Sequence, residues 1–210
     1  MARDNAEGSR LSDVELSPDE ESVLIGTLLG DGSLAMHGHH ARVFVKHKAA
    51  HRSLAEFKWV AFSRFTSMRL HEFDQRLRGK RYPCVQFVTR THPVFTAWRR
   101  RFYLGGHKIV PSDVSELLSP LAAAVWFMDD GSADHTGVTL QTHSFRDVEV
   151  QRLRAALSER FDIVATLREN KRHLILYIGK RELPKFAEII SPFLLPDFEY
   201  KLVPRRSLTP

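Results

Sequence analysis

The strongest constraint on this chain is an apolar run that ends in acid and glycine, and it occurs twice. The second copy, Val125-Trp126-Phe127-Met128-Asp129-Asp130-Gly131-Ser132, is the sharper. The first is Leu24-Ile25-Gly26-Thr27-Leu28-Leu29-Gly30-Asp31-Gly32-Ser33. Both are opened by Ser-Pro, at Ser17-Pro18 and Ser119-Pro120. Serine is a favoured N-cap, and proline suits the first helical position, where its missing N–H would have no partner. Glu20 falls where a capping box needs a carboxylate. Each copy therefore predicts a buried helix with its acid at the carboxyl end. The helix dipole places partial negative charge at that end, so a carboxylate there needs positive compensation. Two such acids close together repel and call for a cation. Oxygen-only ligands suit a hard divalent ion such as Mg²⁺.

The flanks repeat as well. After the first motif comes a turn over residues 34–40, a half-buried strand over 42–48, a helix over 53–65, a basic turn at 76–81, a strand over 82–89 and a helix over 91–103. After the second come a strand at 138–142, a helix at 146–161, strands at 163–167 and 173–178, and a last helix opened by Leu183-Pro184-Lys185-Phe186. Both halves close on one phrase, His107-Lys108-Ile109-Val110-Pro111 and Tyr200-Lys201-Leu202-Val203-Pro204. A repeat of this length predicts a duplicated α+β domain rather than a solenoid. The division expected is a flexible polar tail at 1–16, a first half at 17–111 and a second at 112–210. Gly26 and Gly30 share a helix face and would let another backbone come close. Val125 and Asp129 stand at the equivalent places, so the pairing of the two helices should be asymmetric.

The two segments resemble the paired signature helices of the LAGLIDADG homing endonucleases, in the single-chain form that carries two motifs. The resemblance runs from about Ser17 to Pro204. It implies a duplicated αββαββα fold, two pseudo-symmetric halves about a twofold axis, and antiparallel sheets that bind DNA. It also implies a monomeric, site-specific, metal-dependent endonuclease. Such an enzyme hydrolyses phosphodiester bonds in double-stranded DNA at a long asymmetric target and leaves staggered ends. Mg²⁺ is the cofactor expected, with Mn²⁺ able to substitute. The alternatives on the same fold are an intron RNA maturase, with intron RNA as partner, and a non-catalytic DNA-binding regulator.

On that resemblance Asp31 and Asp130 are the expected catalytic metal ligands. Asp130 is preferred to Asp129 because it aligns with Asp31, immediately before glycine. Lys108 and Lys201 match the lysine of the family's Lys-hydrophobic-Pro phrase, where they would stabilise charge on the phosphate or tune water. His47 falls where a water-positioning polar side chain is often found at a strand end, although glutamine is common there; Thr142 is its counterpart. Base reading is expected from Arg42, Phe44 and Lys46 in the first half and from Gln141, Arg168 and Lys171 in the second, with Lys48 beside them. Arg78, Lys80, Arg81 and Arg172 are expected at phosphates, which position without specifying.

Composition agrees without deciding. A formal charge of +6 over 210 residues favours a polyanionic partner. The single cysteine, Cys84, excludes an intramolecular disulfide and a cysteine zinc site. The histidines at 37, 39, 40, 47 and 51 show no zinc-ligand spacing. The longest apolar run, 121–128, is too short to span a bilayer, and no signal peptide is evident. The expectation is a soluble intracellular protein with no membrane partner, cytoplasmic or organellar according to its host.

Overall fold

The caps that the sequence predicts are made. In the computed structural model, which describes residues 14–203, α1 spans Pro18–Leu29. The Ser17 hydroxyl accepts from the Glu20 N–H at 3.3 Å, and the Glu20 carboxylate accepts from the Ser17 N–H at 2.7 Å. Two orphan donors of the first turn are thereby satisfied. Downstream come β1 (Ser33–His37), β2 (His40–Lys48), α2 (Arg52–Ala61), β3 (His71–Leu77), β4 (Lys80–Val88) and α3 (Pro93–Phe102). A bridge of β5 (Tyr103–Leu104), β6 (His107–Lys108) and α4 (Val114–Leu117) leads to the second set. That set is α5 (Pro120–Asp130), β7 (Gly131–Ala133), β8 (Val138–Leu140), α6 (Asp147–Phe161), β9 (Thr166–Asn170), β10 (His173–Ile178) and α7 (Leu183–Ile190). The order αββαββα thus occurs twice. Each set contains a four-stranded antiparallel sheet, in the orders β1-β2-β4-β3 and β7-β8-β10-β9.

Several local expectations are corrected. Residues 34–40 are not a turn alone: β1 pairs antiparallel with β2 from Ser33 opposite Phe44 to His37 opposite His40. The stretch before the expected basic turn is strand β3, and the turn narrows to Arg78 and Gly79, both at positive φ. β3 reads His-Glu-Phe-Asp-Gln-Arg-Leu and is an edge strand. Edge strands are often polar on both faces, so it shows no alternation to detect. The strand expected at 163–167 begins at Thr166, while Ile163 and Ala165 are buried in the segment before it. The helix expected to reach residue 65 stops at Ala61. Of the expected polar tail, residues 1–13 lie outside the described residues.

By compactness the chain divides into two units. Among the described residues, one joins 14–21 with Asp31–Phe102; the other joins Ser22–Gly30 with 103–203. In the first, Val43, Val45, Leu54, Phe62, Val85, Phe87, Phe95 and Phe102 form the core. Phe95 meets the rings of Phe62 at 6.2 Å and Phe65 at 4.9 Å, both edge-on. In the second, α5 is buried at every position from Ala122 to Met128. A helix that is apolar all round belongs at a centre. No helix among the described residues is long and apolar enough to cross a membrane.

Glu20 carries a measurable consequence. Burial opposes its ionisation, but bonds from Arg64 and Ser17 outweigh it and hold the carboxyl below its ordinary 4.5. The Arg64–Glu20 ion pair is 2.5 Å long. A lowered folded-state value means that the stabilisation is present above the unfolded value and is lost as pH falls through the folded one. Glu20→Gln should therefore melt below the wild type at about pH 7, and the gap should narrow as the pH falls below the ordinary 4.5. A gap that persists in acid would show that Glu20 contributes through packing instead.

Candidate active site

The second unit brings the carboxyl halves of the two motif helices together. A Cβ built at Gly26 would strike the Ala122 carbonyl and would lie 2.6 Å from Val125 Cβ; one at Gly30 would strike the Asp129 carboxylate and lie 2.5 Å from Asp129 Cβ. Only residues without side chains permit that approach. The pairing is asymmetric, as the unequal copies predict: glycines on α1 receive Val125 and Asp129 from α5. Ser119 caps α5 by accepting from the Ala122 N–H at 3.0 Å, and its hydroxyl meets that of Ser22 at 2.8 Å. Asp129 and Asp130 close α5, both half-buried.

The two lysines sit at matching places. Lys108 Nζ donates to the Gly30 carbonyl at 2.7 Å. Lys201 Nζ donates to the Met128 carbonyl at 2.6 Å and to that of Asp129 at 3.4 Å. Each ammonium therefore rests on terminal carbonyls of a motif helix and offsets the negative end of its dipole. The motif alone indicated these lysines, and their helix-capping bonds were not legible in the sequence. Lys108 is held there by a hairpin whose turn, Gly105-Gly106, has both residues at positive φ, and its strand pairs Lys108 with Tyr103. Lys201 is buried in a 3₁₀ segment, Pro196–Leu202, with its ammonium 5.3 Å from the Phe198 ring centre.

In the first unit, Asp31 is exposed immediately past α1, and its carboxylate lies within 4.8 Å of a His47 ring nitrogen. His47 ends the inward row of β2 (Ala41, Val43, Val45, His47), all buried. Its Nε2 lies 3.4 Å from Nζ of Lys58, a fully buried lysine on α2 that no sequence motif singles out. Helical periodicity places position 58 among apolar neighbours, yet nothing in the sequence links it to position 47. Thr142, the expected counterpart of His47, is buried with its hydroxyl donating to the Leu174 carbonyl at 2.5 Å. The donor chemistry of the exposed Asp31 and of the two acids closing α5 is that of a hard divalent cation.

The first sheet carries its expected base-reading residues on one face. Arg42, Phe44, Lys46 and Lys48 form the outward row of β2. Strand register adds Ala35 opposite Arg42 and Gln86 opposite Lys46, and Lys46 Nζ donates to Gln75 Oε1 at 3.3 Å. Ala35 and Gln75 were missed because their strands were missed. Gln86 lies on a strand that was expected, but its face could not be paired without register. Lys80 and Arg81 open β4 beside the Arg78 turn, with Arg81 3.8 Å from Asp74. In the second sheet Gln141 joins a polar row: it donates to Thr139 at 3.4 Å and accepts from Asn170 at 3.4 Å, while Ser132 meets Thr139 at 2.8 Å. Arg168 pairs with Asp134 at 2.6 Å and stacks 3.2 Å from the Tyr177 ring centre. Lys171 and Arg172 form the β9–β10 turn, both at positive φ. A cavity of about 660 Å³ borders Lys108, with His107, His143, Arg146 and His173 on its wall.

Four likenesses bear on this arrangement. Residues 21–186 match the model of the LAGLIDADG DNA endonuclease family. A cytochrome b mRNA maturase bI2 of Debaryomyces hansenii is 28% identical over 86% of this chain and 72% of its own. A probable intron-encoded endonuclease 1 of Wickerhamomyces canadensis is 25% identical over 90% and 85%. The homing endonuclease I-WcaI, solved bound to its DNA recognition sequence, superposes with a TM-score of 0.86 at 22% identity, over 98% of this chain and 96% of that one. The last likeness is one of fold. The chain spans about half the length of several other curated relatives that it matches.

Proposed function

The chain belongs to the LAGLIDADG DNA endonuclease family, and from that premise we propose that it is a site-specific endonuclease. Its substrate would be double-stranded DNA at a long asymmetric target, cut in both strands to leave staggered ends, by a monomer built of the halves 17–111 and 112–210. The observation that carries the reading is the matched pair of helix ends. An aspartate before glycine stands at the end of α5 and just past the end of α1, and a lysine ammonium rests on the terminal carbonyls in each case. A carboxylate at the negative end of a dipole is out of place in a merely structural helix.

Asp31 and Asp130 would hold the divalent ions, Mg²⁺ or Mn²⁺. A bound ion would supply Lewis-acid stabilisation of the phosphate and an acidified water. The chain's own groups do the rest. Lys108 and Lys201 keep positive charge at the carboxyl ends of the motif helices, where it would offset the negative charge that builds on the phosphate. His47 orients water at the first-unit acid. Asp129, seated over Gly30, adjusts the position of the second-unit acid. The outward rows of the two sheets read base edges, and the basic hairpin turns at 78–81 and 171–172 lie against phosphates. Similarity to intron maturases supports intron RNA as the second reading.

The test is selection of cleaved sites from a randomised duplex library, in Mg²⁺ and in Ca²⁺. Staggered cuts at one long site in Mg²⁺, with binding but little cutting in Ca²⁺, are expected. Binding without cutting in either Mg²⁺ or Mn²⁺ would reduce the reading to a DNA-binding regulator. Neither binding nor cutting, with retention of intron RNA, would replace it by the maturase.

A further inference from the structure

Lys58 is the one fully buried lysine among the described residues, at 0% exposure. Burying an ammonium is costly unless polar groups compensate. Leu54 and Ala55 on the same helix are also fully buried, so the packing around α2 would suit an apolar side chain at position 58. The ammonium instead lies 3.4 Å from Nε2 of His47, which is itself buried at 5% exposure. Asp31 lies near the same ring: its carboxylate is within 4.8 Å of a His47 ring nitrogen. A buried cation, a buried imidazole and an exposed carboxylate thus lie close together inside a single unit.

The chemistry of this contact has a direction. An ammonium has donors and no acceptor. Facing it, Nε2 must present a lone pair, so the ring proton of neutral His47 resides on Nδ1. A histidine held this way is an N–H donor to whatever lies on its far side, and it cannot offer Nε2 to a metal. We propose that Lys58 is a positioning residue that acts through His47: it fixes the Nδ1–H tautomer and the ring orientation, so that His47 donates toward Asp31 or a water beside it. Glutamine, the residue common at this place in the resemblance, carries an N–H donor of its own and needs no buried cation behind it. An imidazole needs one to choose between its two tautomers. The inference rests on the endonuclease reading only for its effect on cleavage; the tautomer is a property of the free chain.

Two measurements test it. Long-range proton–nitrogen correlation spectra of the whole chain, labelled at histidine and assigned with His47→Gln, should show His47 as the Nδ1–H form. Lys58→Met, close in length and apolar, should shift that signal toward the Nε2–H form. Lys58→Gln, which keeps a neutral donor, is a second variant should the first fail to fold, and it should leave the Nδ1–H form in place. On the selected target in Mg²⁺, Lys58→Met should slow single-turnover cleavage roughly 10- to 100-fold, with affinity in Ca²⁺ unchanged. In the His47→Gln background the same change should slow cleavage by no more than about threefold. Wild-type His47 in the Nε2–H form would overturn the proposal. So would an equal loss from Lys58→Met with and without His47, because that is the signature of general destabilisation. If the wild type cuts no duplex, the endonuclease reading fails, and the nitrogen spectrum still decides the role of Lys58.

Discussion

Asp31→Asn and Asp130→Asn should each reduce cleavage by on the order of a thousandfold or more, with duplex binding in Ca²⁺ changed little. Asparagine matches aspartate in size, so the helix ends and their lysine caps should persist. The variant removes one negative charge and one hard oxygen donor, and metal-borne stabilisation of a phosphoryl transition state is worth several kcal/mol. At about 1.4 kcal/mol for each tenfold, that converts to roughly a thousandfold. Asp129→Asn separates the two acids that close α5. With Asp130 as the ligand, the Asp129 variant should retain more cleavage than the Asp130 variant. The reverse order would assign the ligand to the carboxylate that sits over Gly30. Cleavage that survives both Asp31→Asn and Asp130→Asn would remove the metal assignment altogether.

Gly26→Val should destabilise the fold more than any of the aspartate, glutamate or lysine replacements. The Cβ it introduces falls on the Ala122 carbonyl and on Val125 Cβ. The first is backbone and the second is the root of a buried, β-branched side chain, so neither can turn aside. Overpacking of this kind typically costs about 1–3 kcal/mol, and a backbone clash lies at the upper end or beyond. For a chain of this size, about 3 kcal/mol lowers the melting temperature by roughly 6–12 °C. Val125→Ala in the Gly26→Val background should recover part of the loss by vacating the Val125 side of the contact. Failure to recover any of it would place the whole clash on the Ala122 carbonyl.

The two mutational series address different levels of the molecule. The glycine variant tests how the motif helices approach within the second unit. The aspartate variants test what their ends do once that approach is made. Lys108 and Lys201 link the two levels, since each lysine both caps a motif helix and places positive charge at its carboxyl end. Replacing either by methionine should therefore lower stability and cleavage together, whereas the aspartate variants should separate them.

Much of this protein was legible in its order of residues. Ser-Pro followed by an apolar run and Asp-Gly specifies a capped, buried helix and its carboxyl-terminal acid, because capping and periodicity act over a few neighbours. The duplication was legible for the same reason: it repeats local patterns. The asymmetry of Gly26 and Gly30 against Val125 and Asp129 announced an unequal pairing. What escaped were features made by partners distant in sequence. β1 and β3 are strands because β2 and β4 hydrogen-bond to them, and their own composition carries no alternation strong enough to reveal it. The capping of Gly30 by Lys108 and of Met128 by Lys201 spans more than seventy residues in each case. The meeting of Lys58 with His47 joins a helix face to the end of a strand row. Local sequence determined which helices would carry an acid at their carboxyl ends; only the tertiary structure decided which cations cap those ends, because a charge distant in sequence is fixed by what packs around it.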